Sequence, residues 1–365
     1  MVVVPKRSLA TVPAYAAGKQ SLGESAVGAI PTARLAANEN PYGPLPAVRE
    51  AMIAAMGDVN RYRDHRVSPL RDAIARFHSV GRDRVLIGAG GGALCERAVL
   101  ALCNEGDEVI FAVPSYIGYQ NYCAVAGARA VTVGLDSSLR HDLAGMLAAI
   151  TGRTRIVLVC NPNNPTGTVV GQAELRGFIE AVPDRCLVLL DEAYIDFADD
   201  SRSCGFDLLD RCANLLIART FSKNCGLAGL RIGYLIGHPE TTELISRSMG
   251  WFQLNVMSEA AALASLAAAG ELAERIASIR AGRRLLIRLL RELGYEVPDC
   301  QGNFVWLPLA APEVRSAVTA LEEQGILSRP FPEGLRITVG TDAENHRVAA
   351  VLARLPRSRG RRASD

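Results

Sequence analysis

The chain has 365 residues, which is long enough for two domains with a sizeable core. Hydrophobic residues make up 49% of it and charged residues 21%, a balance typical of a soluble globular protein. The formal net charge is +2, and charges interrupt the longer apolar runs. We therefore expect no nucleic-acid partner, no membrane partner and no transmembrane helix.

The cysteines and the two ends of the chain give further bounds. Nine cysteines without C-x-x-C spacing, and without histidines at zinc-finger intervals, are expected to be buried, reduced thiols and no metal site. This favours a reducing, cytoplasmic compartment. The apolar run at the N-terminus is too short for a signal peptide, and the basic tail, residues 357–365, is predicted to be disordered.

The first part of the chain predicts an arm followed by a helix. Residues 1–32, which include Tyr15, show no clear periodicity and are expected to be extended. Asn40 lies in the next passage, which is rich in proline and should form turns, and a helix is predicted from Pro46 to Gly57. Tyr62 then lies in the polar stretch N-R-Y-R-D-H-R.

A glycine-rich turn lies between a predicted strand, Arg84–Gly88, and a predicted helix. The turn reads G-A-G-G-G, so Gly91 and Gly92 lie where the helix begins. Backbone N–H groups at such a turn can bind an anion. Without other motifs, a purely structural turn would be the simpler interpretation.

Further apolar runs predict the strands of a sheet. They are Glu108–Tyr116, Arg155–Cys160, Cys186–Leu190, Leu215–Thr220 and Arg231–Gly237. N-P-N-N-P-T-G follows the second, D-E-A-Y begins at Asp191 after the third, and S-K-N-C-G-L-A-G-L-R comes after the fourth. Buried strands with polar residues at their carboxyl ends predict an open, mostly parallel α/β sheet that binds its ligand at that edge.

The C-terminal part has a different pattern. Ser258–Leu293 is rich in Ala, Leu and Arg at helical spacing and stops at Gly294. Strands are predicted over Asn303–Leu309 and Leu335–Gly340, with G-I-L-S-R between them. These elements predict a smaller lobe.

Lysine is scarce in this chain. Lys6, Lys19 and Lys223 are the only three, and arginine supplies the other basic side chains. Arginine can replace lysine as a surface charge, but it cannot form a Schiff base. The count alone fits chance drift in composition equally well, whereas the motifs around Lys223 favour a chemical requirement.

The motifs N-P-N-N-P-T-G, D-E-A-Y, S-K-x-x-G-L-A-G-L-R and L-R-I-T, in this order, resemble the fold-type I, pyridoxal-phosphate-dependent aminotransferases. The chain is most similar to their histidinol-phosphate and aromatic amino acid branch. The resemblance implies a mostly parallel central sheet flanked by helices in a large domain, residues 45–257. It also implies a smaller α+β domain, formed by residues 33–44 and 258–356, and a homodimer with shared active sites.

The resemblance implies the cofactor pyridoxal 5′-phosphate and a set of residues that bind it. Lys223 would hold it as a Schiff base and move the α-proton, Asp191 would pair with the pyridine nitrogen, and Tyr194 would bond the phenolic oxygen. The others are Asn164 at the phenolic oxygen, Tyr116 stacked on the ring, and Gly91, Gly92, Thr220, Ser222, Arg231 and Tyr62 at the phosphate, with Tyr62 reaching from a neighbouring subunit.

The implied substrates are an amino acid, aromatic or imidazole in type, and a 2-oxo acid. Arg336 of L-R-I-T would clamp the substrate carboxylate, with Asn40 near it and Arg329 as a second anion contact. Tyr15 would lie on the substrate side. Arg329 is equally well explained as a surface arginine, and Tyr15 as an anchoring aromatic residue.

Two departures from the family pattern keep other functions open. Gly91, Gly92 and Ala93 stand where the family usually has Ser or Ala, Asp and Glu, and Arg63 replaces a usual proline. A pyridoxal-phosphate enzyme of specialised metabolism, catalysing β-elimination, decarboxylation or oxidative deamination, is one alternative. A non-catalytic regulatory module is another, disfavoured by the presence of Lys223 together with Asp191.

Overall fold

The central feature of the computed structural model is a seven-stranded sheet with the order β2-β8-β7-β6-β5-β3-β4. The structure describes residues 6–9, 32–201 and 204–356. The predictions for Tyr15, most of the arm and the tail 357–365 lie outside these residues. The strands are β1 Ala33–Arg34, β2 Val85–Gly88, β3 Glu108–Val113, β4 Arg129–Gly134, β5 Thr154–Cys160, β6 Leu187–Asp191, β7 Leu215–Thr220, β8 Gly233–Gly237, β9 Phe304–Pro308, β10 Ile326–Leu327, β11 Arg329–Phe331 and β12 Gly334–Thr338.

Most helices cover this sheet and connect its strands, and the last ones pack in a smaller unit. They are α1 Pro46–Ala55, α2 Ser68–His78, α3 Gly91–Leu102, α4 Gly118–Ala126, α5 Leu143–Ala148, α6 Gln172–Ala181, α7 Cys204–Leu208, α8 Pro239–Ser246, α9 Val256–Ala267, α10 Ala269–Glu292, α11 Ala311–Glu323 and α12 Asp342–Leu352. Strand β8 runs antiparallel to both its neighbours, and the other strands are parallel to one another. The predicted mostly parallel α/β fold is confirmed.

Both faces of the central sheet are buried, which explains the unbroken apolar runs in its strands. On β6, Val188 and Leu190 belong to one hydrophobic cluster, and Leu187 and Leu189 belong to a second cluster on the opposite face. Successive side chains of a strand point to opposite faces, so each face needs its own apolar set. The run therefore ends where the strand reaches the sheet edge, at Asp191.

A smaller unit is built around the antiparallel sheet β11-β12-β9. The short strand β1 pairs in parallel with β10, so residues far apart in the sequence meet here. Ala33 and Leu35 join Trp306 and Ile337 in one hydrophobic cluster. This packing supports the inclusion of residues 33–44 in the small domain, which stays a prediction.

The predicted helical stretch Ser258–Leu293 is two helices, α9 and α10, which meet at an angle of 84°. Ala261 and Ala262 of α9 pack into the core under the central sheet, whereas Leu286 and Leu290 of α10 pack into the small unit. A straight helix could not reach both cores, and no proline marks the break. We accordingly propose a domain boundary inside α10, later than residue 258.

In the central sheet, two strand predictions were too long. The run Glu108–Tyr116 leaves the sheet after Val113, where Pro114 cannot donate a ladder hydrogen bond. The run Arg231–Gly237 joins the sheet only at Gly233, because Arg231 has a left-handed backbone with φ 53°. A Cβ at Gly233 would lie 2.2 Å from the backbone N of Gly91, so only glycine allows the close approach of β8 and α3 there.

Three general features of the described residues concern membrane spans, cysteines and metal binding. No single helix there is long and apolar enough to cross a membrane, although the bent pair α9 and α10 reaches that length and composition together. The cysteines, apart from Cys204, carry free thiols, and all of these except Cys212 are buried. No group of three or more His, Cys, Asp or Glu side chains in the described part could hold a metal ion.

Candidate active site

A cavity lies at the carboxyl ends of β5, β6 and β7, next to the beginning of α3. Its empty volume, which includes space open to solvent, is about 690 Å³. The structure brings ten of the predicted cofactor-binding residues to its walls: Gly91, Gly92, Tyr116, Asn164, Asp191, Tyr194, Thr220, Ser222, Lys223 and Arg231.

The amine of Lys223 lies inside this cavity and donates a hydrogen bond to the carbonyl of Ala37 at 3.0 Å. Burial lowers the pKa of Lys223 to about 7, helped by the cations Arg336 and Arg231 and opposed by Glu39 and Asp191. A substantial share of the amine is therefore unprotonated near neutral pH. An unprotonated amine is a nucleophile and a base, whereas an ordinary lysine is neither.

The loop that carries Lys223 is held by Asn40. The Nδ2 of Asn40 donates to the carbonyls of both Lys223 and Asn224 at 3.1 Å. The Oδ1 of Asn40 accepts from the backbone N–H of Tyr42 at 3.0 Å. The structure thus places Asn40 against the Lys223 loop, and its predicted contact with a substrate carboxylate stays a prediction.

Asp191 ends strand β6 as a buried carboxylate. Its Oδ2 accepts from the hydroxyl of Tyr119 at 2.8 Å, and its Oδ1 accepts from the backbone N–H of Ala193 at 3.1 Å. Burial raises the pKa of Asp191, whereas these two hydrogen bonds and the positive charge of Lys223 act in the opposite direction. A cationic N–H group in the cavity would stabilise the charged form of this side chain.

Tyr194 and Asn164 connect the cavity to the small unit. The hydroxyl oxygen of Tyr194 accepts from Nδ2 of Asn38 at 3.0 Å and from Nδ2 of Asn164 at 3.3 Å. Because both bonds occupy the oxygen as an acceptor, the hydroxyl proton can be donated elsewhere. The Oδ1 of Asn164 accepts from Nη1 of Arg336 at 2.5 Å, and Nη2 of Arg336 donates to the carbonyl of Ala36 at 2.6 Å.

The opposite end of the cavity is a set of hydrogen-bond donors suited to an anion. The 12-residue helix α3 begins at Gly91, after Gly90 with φ 104°. Nη1 of Arg231 lies 3.3 Å from Oγ of Ser222, and Nη2 would lie only 2.7 Å from a Cβ at Gly90. The left-handed backbone of Arg231 therefore turns its guanidinium towards the helix N-terminus, where the helix dipole also favours negative charge.

Three other predicted residues lie away from the walls of this cavity. Arg329 on β11 is directly opposite Arg336 on β12, and both guanidinium groups lie over the ring of Phe331, at 5.8 and 5.7 Å from its centroid. Tyr62 is 83% exposed, and its ring stacks on Phe252 with centroids 4.5 Å apart. The phosphate contact predicted for Tyr62 therefore requires another subunit.

Sequence reasoning missed three residues that the structure places at the site. Asn38 and Tyr119 bond to Tyr194 and Asp191, respectively, and Arg219 lines the cavity. Arg219 did carry a signal, since it is a charged residue in the buried run L-L-I-A-R-T. Neither of the other two contacts could be read locally, because each joins residues more than 70 positions apart.

Comparisons with known proteins agree with this geometry. Residues 31–352 match the family aminotransferase class I and II. An aromatic amino acid aminotransferase of Rhodococcus opacus is 45% identical over 93% of this chain and 92% of that protein, and one of Thermobifida fusca is 40% identical over 96% and 97%. A crystal structure of histidinol-phosphate aminotransferase from Sinorhizobium meliloti, in complex with pyridoxal-5′-phosphate, superimposes with a TM-score of 0.83 at 32% identity, covering 88% of this chain and 90% of that one.

The fold and the site together define an enzyme of the fold-type I transferase class. The chain belongs to the aminotransferase class I and II family and is an amino acid aminotransferase. The resemblance given by the four sequence motifs is thereby confirmed.

Proposed function

We propose that this enzyme uses pyridoxal 5′-phosphate to move an amino group between an aromatic amino acid and a 2-oxo acid. The observation that carries the proposal is the meeting of the Lys223 amine, the Asp191 carboxylate and the anion-binding end of α3 in one cavity. The names of the relatives that are 40–45% identical support the aromatic substrate.

The donor set fits this cofactor at each end. Lys223 would hold its aldehyde carbon through Nζ, and Asp191 would pair with its pyridine N–H. The proton of the Tyr194 hydroxyl would be donated to its phenolic oxygen. Gly91 and Gly92 amides, the hydroxyls of Thr220 and Ser222, and the guanidinium of Arg231 would hold the phosphate, while Tyr116 would cover one face of the ring.

When bound, the cofactor supplies an electron sink for the pair of electrons left at the substrate Cα after proton removal. Lys223 would supply the base: once the substrate amine has displaced it, its unprotonated Nζ could accept the Cα proton and pass it to the cofactor carbon that it had held. Asp191 would keep a proton on the pyridine nitrogen, because a buried carboxylate stabilises a positive charge beside it. Tyr119 and Ala193 hold that carboxylate in place through their two hydrogen bonds.

The substrate would lie between Lys223 and the small unit. Arg336 can bind a carboxylate with two N–H groups, in exchange for its bonds to Asn164 and Ala36. The half-buried ring of Phe331, next to both Arg329 and Arg336, would add an apolar surface at this end of the site. An aromatic amino acid, which carries a carboxylate and an aromatic side chain, suits such a pocket.

The test is a substrate panel with the cofactor-loaded enzyme. Phenylalanine, tyrosine, tryptophan and histidinol phosphate are each supplied with and without 2-oxoglutarate, and keto acid, ammonia and carbon dioxide are measured together. The proposal predicts an aromatic keto acid in amounts above the enzyme concentration only when the acceptor is present. Ammonia without an acceptor would indicate elimination, carbon dioxide would indicate decarboxylation, and preference for histidinol phosphate would overturn the aromatic assignment.

We also propose a homodimer in which each subunit completes the other's site. Tyr62, 83% exposed, stacks on Phe252, which is 45% exposed and directly follows Trp251, 86% exposed. Large exposed aromatic surface is typical of an interface. A two-fold axis would bring the same patch of each subunit to the other, so a single tyrosine could serve both sites reciprocally.

A further inference from the structure

We propose that Arg219 and Glu192 form a buried ion pair that positions Asp191 and Lys223 relative to each other. The inference rests on the proposed attachment of the cofactor to Lys223. It assigns a positioning role to two residues that follow or precede the reacting groups in the motifs D-E-A-Y and A-R-T-F-S-K.

The pair joins the two strands that carry the chemistry. Glu192 directly follows Asp191 at the end of β6, and Arg219 lies on the neighbouring strand β7, four residues before Lys223. Nε and Nη2 of Arg219 both lie 2.8 Å from Oε2 of Glu192. The two residues are only 8% and 2% exposed, so water screens their attraction little.

The same guanidinium reaches the Lys223 loop through two further side chains. Nη1 of Arg219 lies 3.4 Å from Oδ1 of Asp196, and Oδ2 of Asp196 accepts from Nδ2 of Asn224 at 2.8 Å. Asn224 directly follows Lys223, and its carbonyl accepts from Asn40. We call Arg219, Glu192, Asp196 and Asn224 the Arg219 network; it ties the end of β6 to the loop after β7.

Stability alone does not account for such a network. Apolar residues of similar volume often stabilise a core as well as a buried ion pair does, because desolvation of the charges offsets their attraction. What apolar residues cannot do is fix distances and angles, since dispersion is not directional whereas an arginine–carboxylate contact is. Asp191 and Lys223 must contact opposite ends of one rigid ring, so their separation is the quantity that needs to be fixed.

The experiment replaces the ion pair by apolar residues in the full-length enzyme. The double variant Arg219→Met with Glu192→Leu keeps the volume and removes both charges, so its melting temperature should stay near that of the wild type or rise. Its dissociation constant for pyridoxal phosphate, measured by absorbance titration, should rise about tenfold or more. The visible circular dichroism of the bound cofactor, which reports its orientation, should change as well.

Glu108→Gln is the matched control. Glu108 is a buried carboxylate that contacts Arg153 at 3.2 Å and Arg129 at 3.4 Å, but at the beginning of β3, the end of the sheet away from the site. This variant should melt earlier and bind the cofactor as the wild type does. If the Arg219 network had a purely structural role, the double variant and Glu108→Gln would both differ from the wild type in melting temperature and not in cofactor binding.

Two further proteins separate the possible failures. The wild type should form a borohydride-reducible adduct, and Lys223→Ala should not. If the two proteins do not differ in this way, the proposed function is wrong, and so is the positioning role. If the wild type forms the adduct and the double variant binds within about twofold of it, with the same circular dichroism, the positioning role alone is overturned. If the double variant does not fold, Arg219→Lys is measured instead. Unchanged affinity for pyridoxal phosphate and an unchanged circular dichroism spectrum overturn the proposal, whereas weaker binding with an altered spectrum supports it.

Discussion

Lys223 differs from the arginines of this protein because its side chain can lose its proton near neutral pH. The chain otherwise relies almost wholly on arginine, which keeps its charge, whereas burial brings the pKa of Lys223 to about 7. Arg336 and Arg231 reinforce this shift, so the side chains proposed to bind the substrate carboxylate and the cofactor phosphate also lower the pKa of the amine.

Lys223→Ala should abolish covalent attachment of pyridoxal phosphate, because no other primary amine side chain lines the cavity within the described residues. Borohydride reduction followed by mass spectrometry measures the adduct. Lys6→Ala is the matched control, since Lys6 bonds to the carbonyl of Val125, away from the cavity. A reducible adduct retained in the Lys223→Ala protein would show that another residue holds the cofactor.

The rate at which cofactor-free enzyme attaches pyridoxal phosphate should rise as pH increases through about 7. The sign follows from the lowered pKa of Lys223: the amine is protonated and unreactive below this value, and neutral above it. Arg336→Gln removes a cation that lowers this pKa, so its midpoint should move to higher pH. Arg336→Lys keeps the charge and should leave the midpoint unchanged. Stopped-flow absorbance over pH 5–10 gives the midpoints of the wild type and both variants. Identical midpoints in the wild type and Arg336→Gln would refute the electrostatic explanation.

At the scale of elements, the anion-binding end of the site depends on three backbone features that meet. The helix α3 begins at Gly91, strand β8 approaches it too closely for any side chain at Gly233, and Arg231 is turned by its left-handed backbone. The family usually places Asp and Glu beside this turn, and this chain has glycine and alanine instead. Phosphate binding here would therefore rely on backbone N–H groups and Arg231.

Gly90→Ala should weaken cofactor binding by about tenfold, without loss of the fold. Its φ of 104° strains any other residue, and the new Cβ would lie 2.7 Å from Nη2 of Arg231, which would have to move. Absorbance titration with pyridoxal phosphate gives the dissociation constant. Gly57→Ala, with no atoms within 4 Å of the new Cβ, is the control and should bind normally. Equal affinities in the two variants would place the phosphate elsewhere.

For the whole molecule, the proposed dimer predicts that two inactive or weakened variants can complement each other across the interface. Chains with Tyr62→Phe and chains with Lys223→Ala are co-expressed with different tags, and the mixed dimer is isolated. If Tyr62 reaches across the interface, one site carries both changes and the other carries neither, so activity should exceed that of either parent. Light scattering is measured on the same preparations; a monodisperse, active monomer would rule out the shared site.

Much of this protein could be predicted from its sequence because the signals are local. Unbroken apolar runs such as Cys186–Leu190 show strands buried on both faces, and their ends show where the polar residues gather. The resemblance carried by four ordered motifs predicted eleven cofactor-binding residues, ten of which line one cavity, and the family match confirmed the class of enzyme. Hydrophobic periodicity and the order of motifs are properties of the linear sequence, and so they can be recognised without the structure.

Tertiary structure decided what depends on contacts between distant segments. The break between α9 and α10 has no proline, and the two helices pack into different cores. The close approach of β8 to α3 at Gly233 likewise joins segments far apart in the sequence. The bonds of Asn38 to Tyr194 and of Tyr119 to Asp191 join residues brought together only by the fold. The lowered pKa of Lys223 has the same origin, because burial and the charge of Arg336 act through space and leave no trace in the neighbouring sequence.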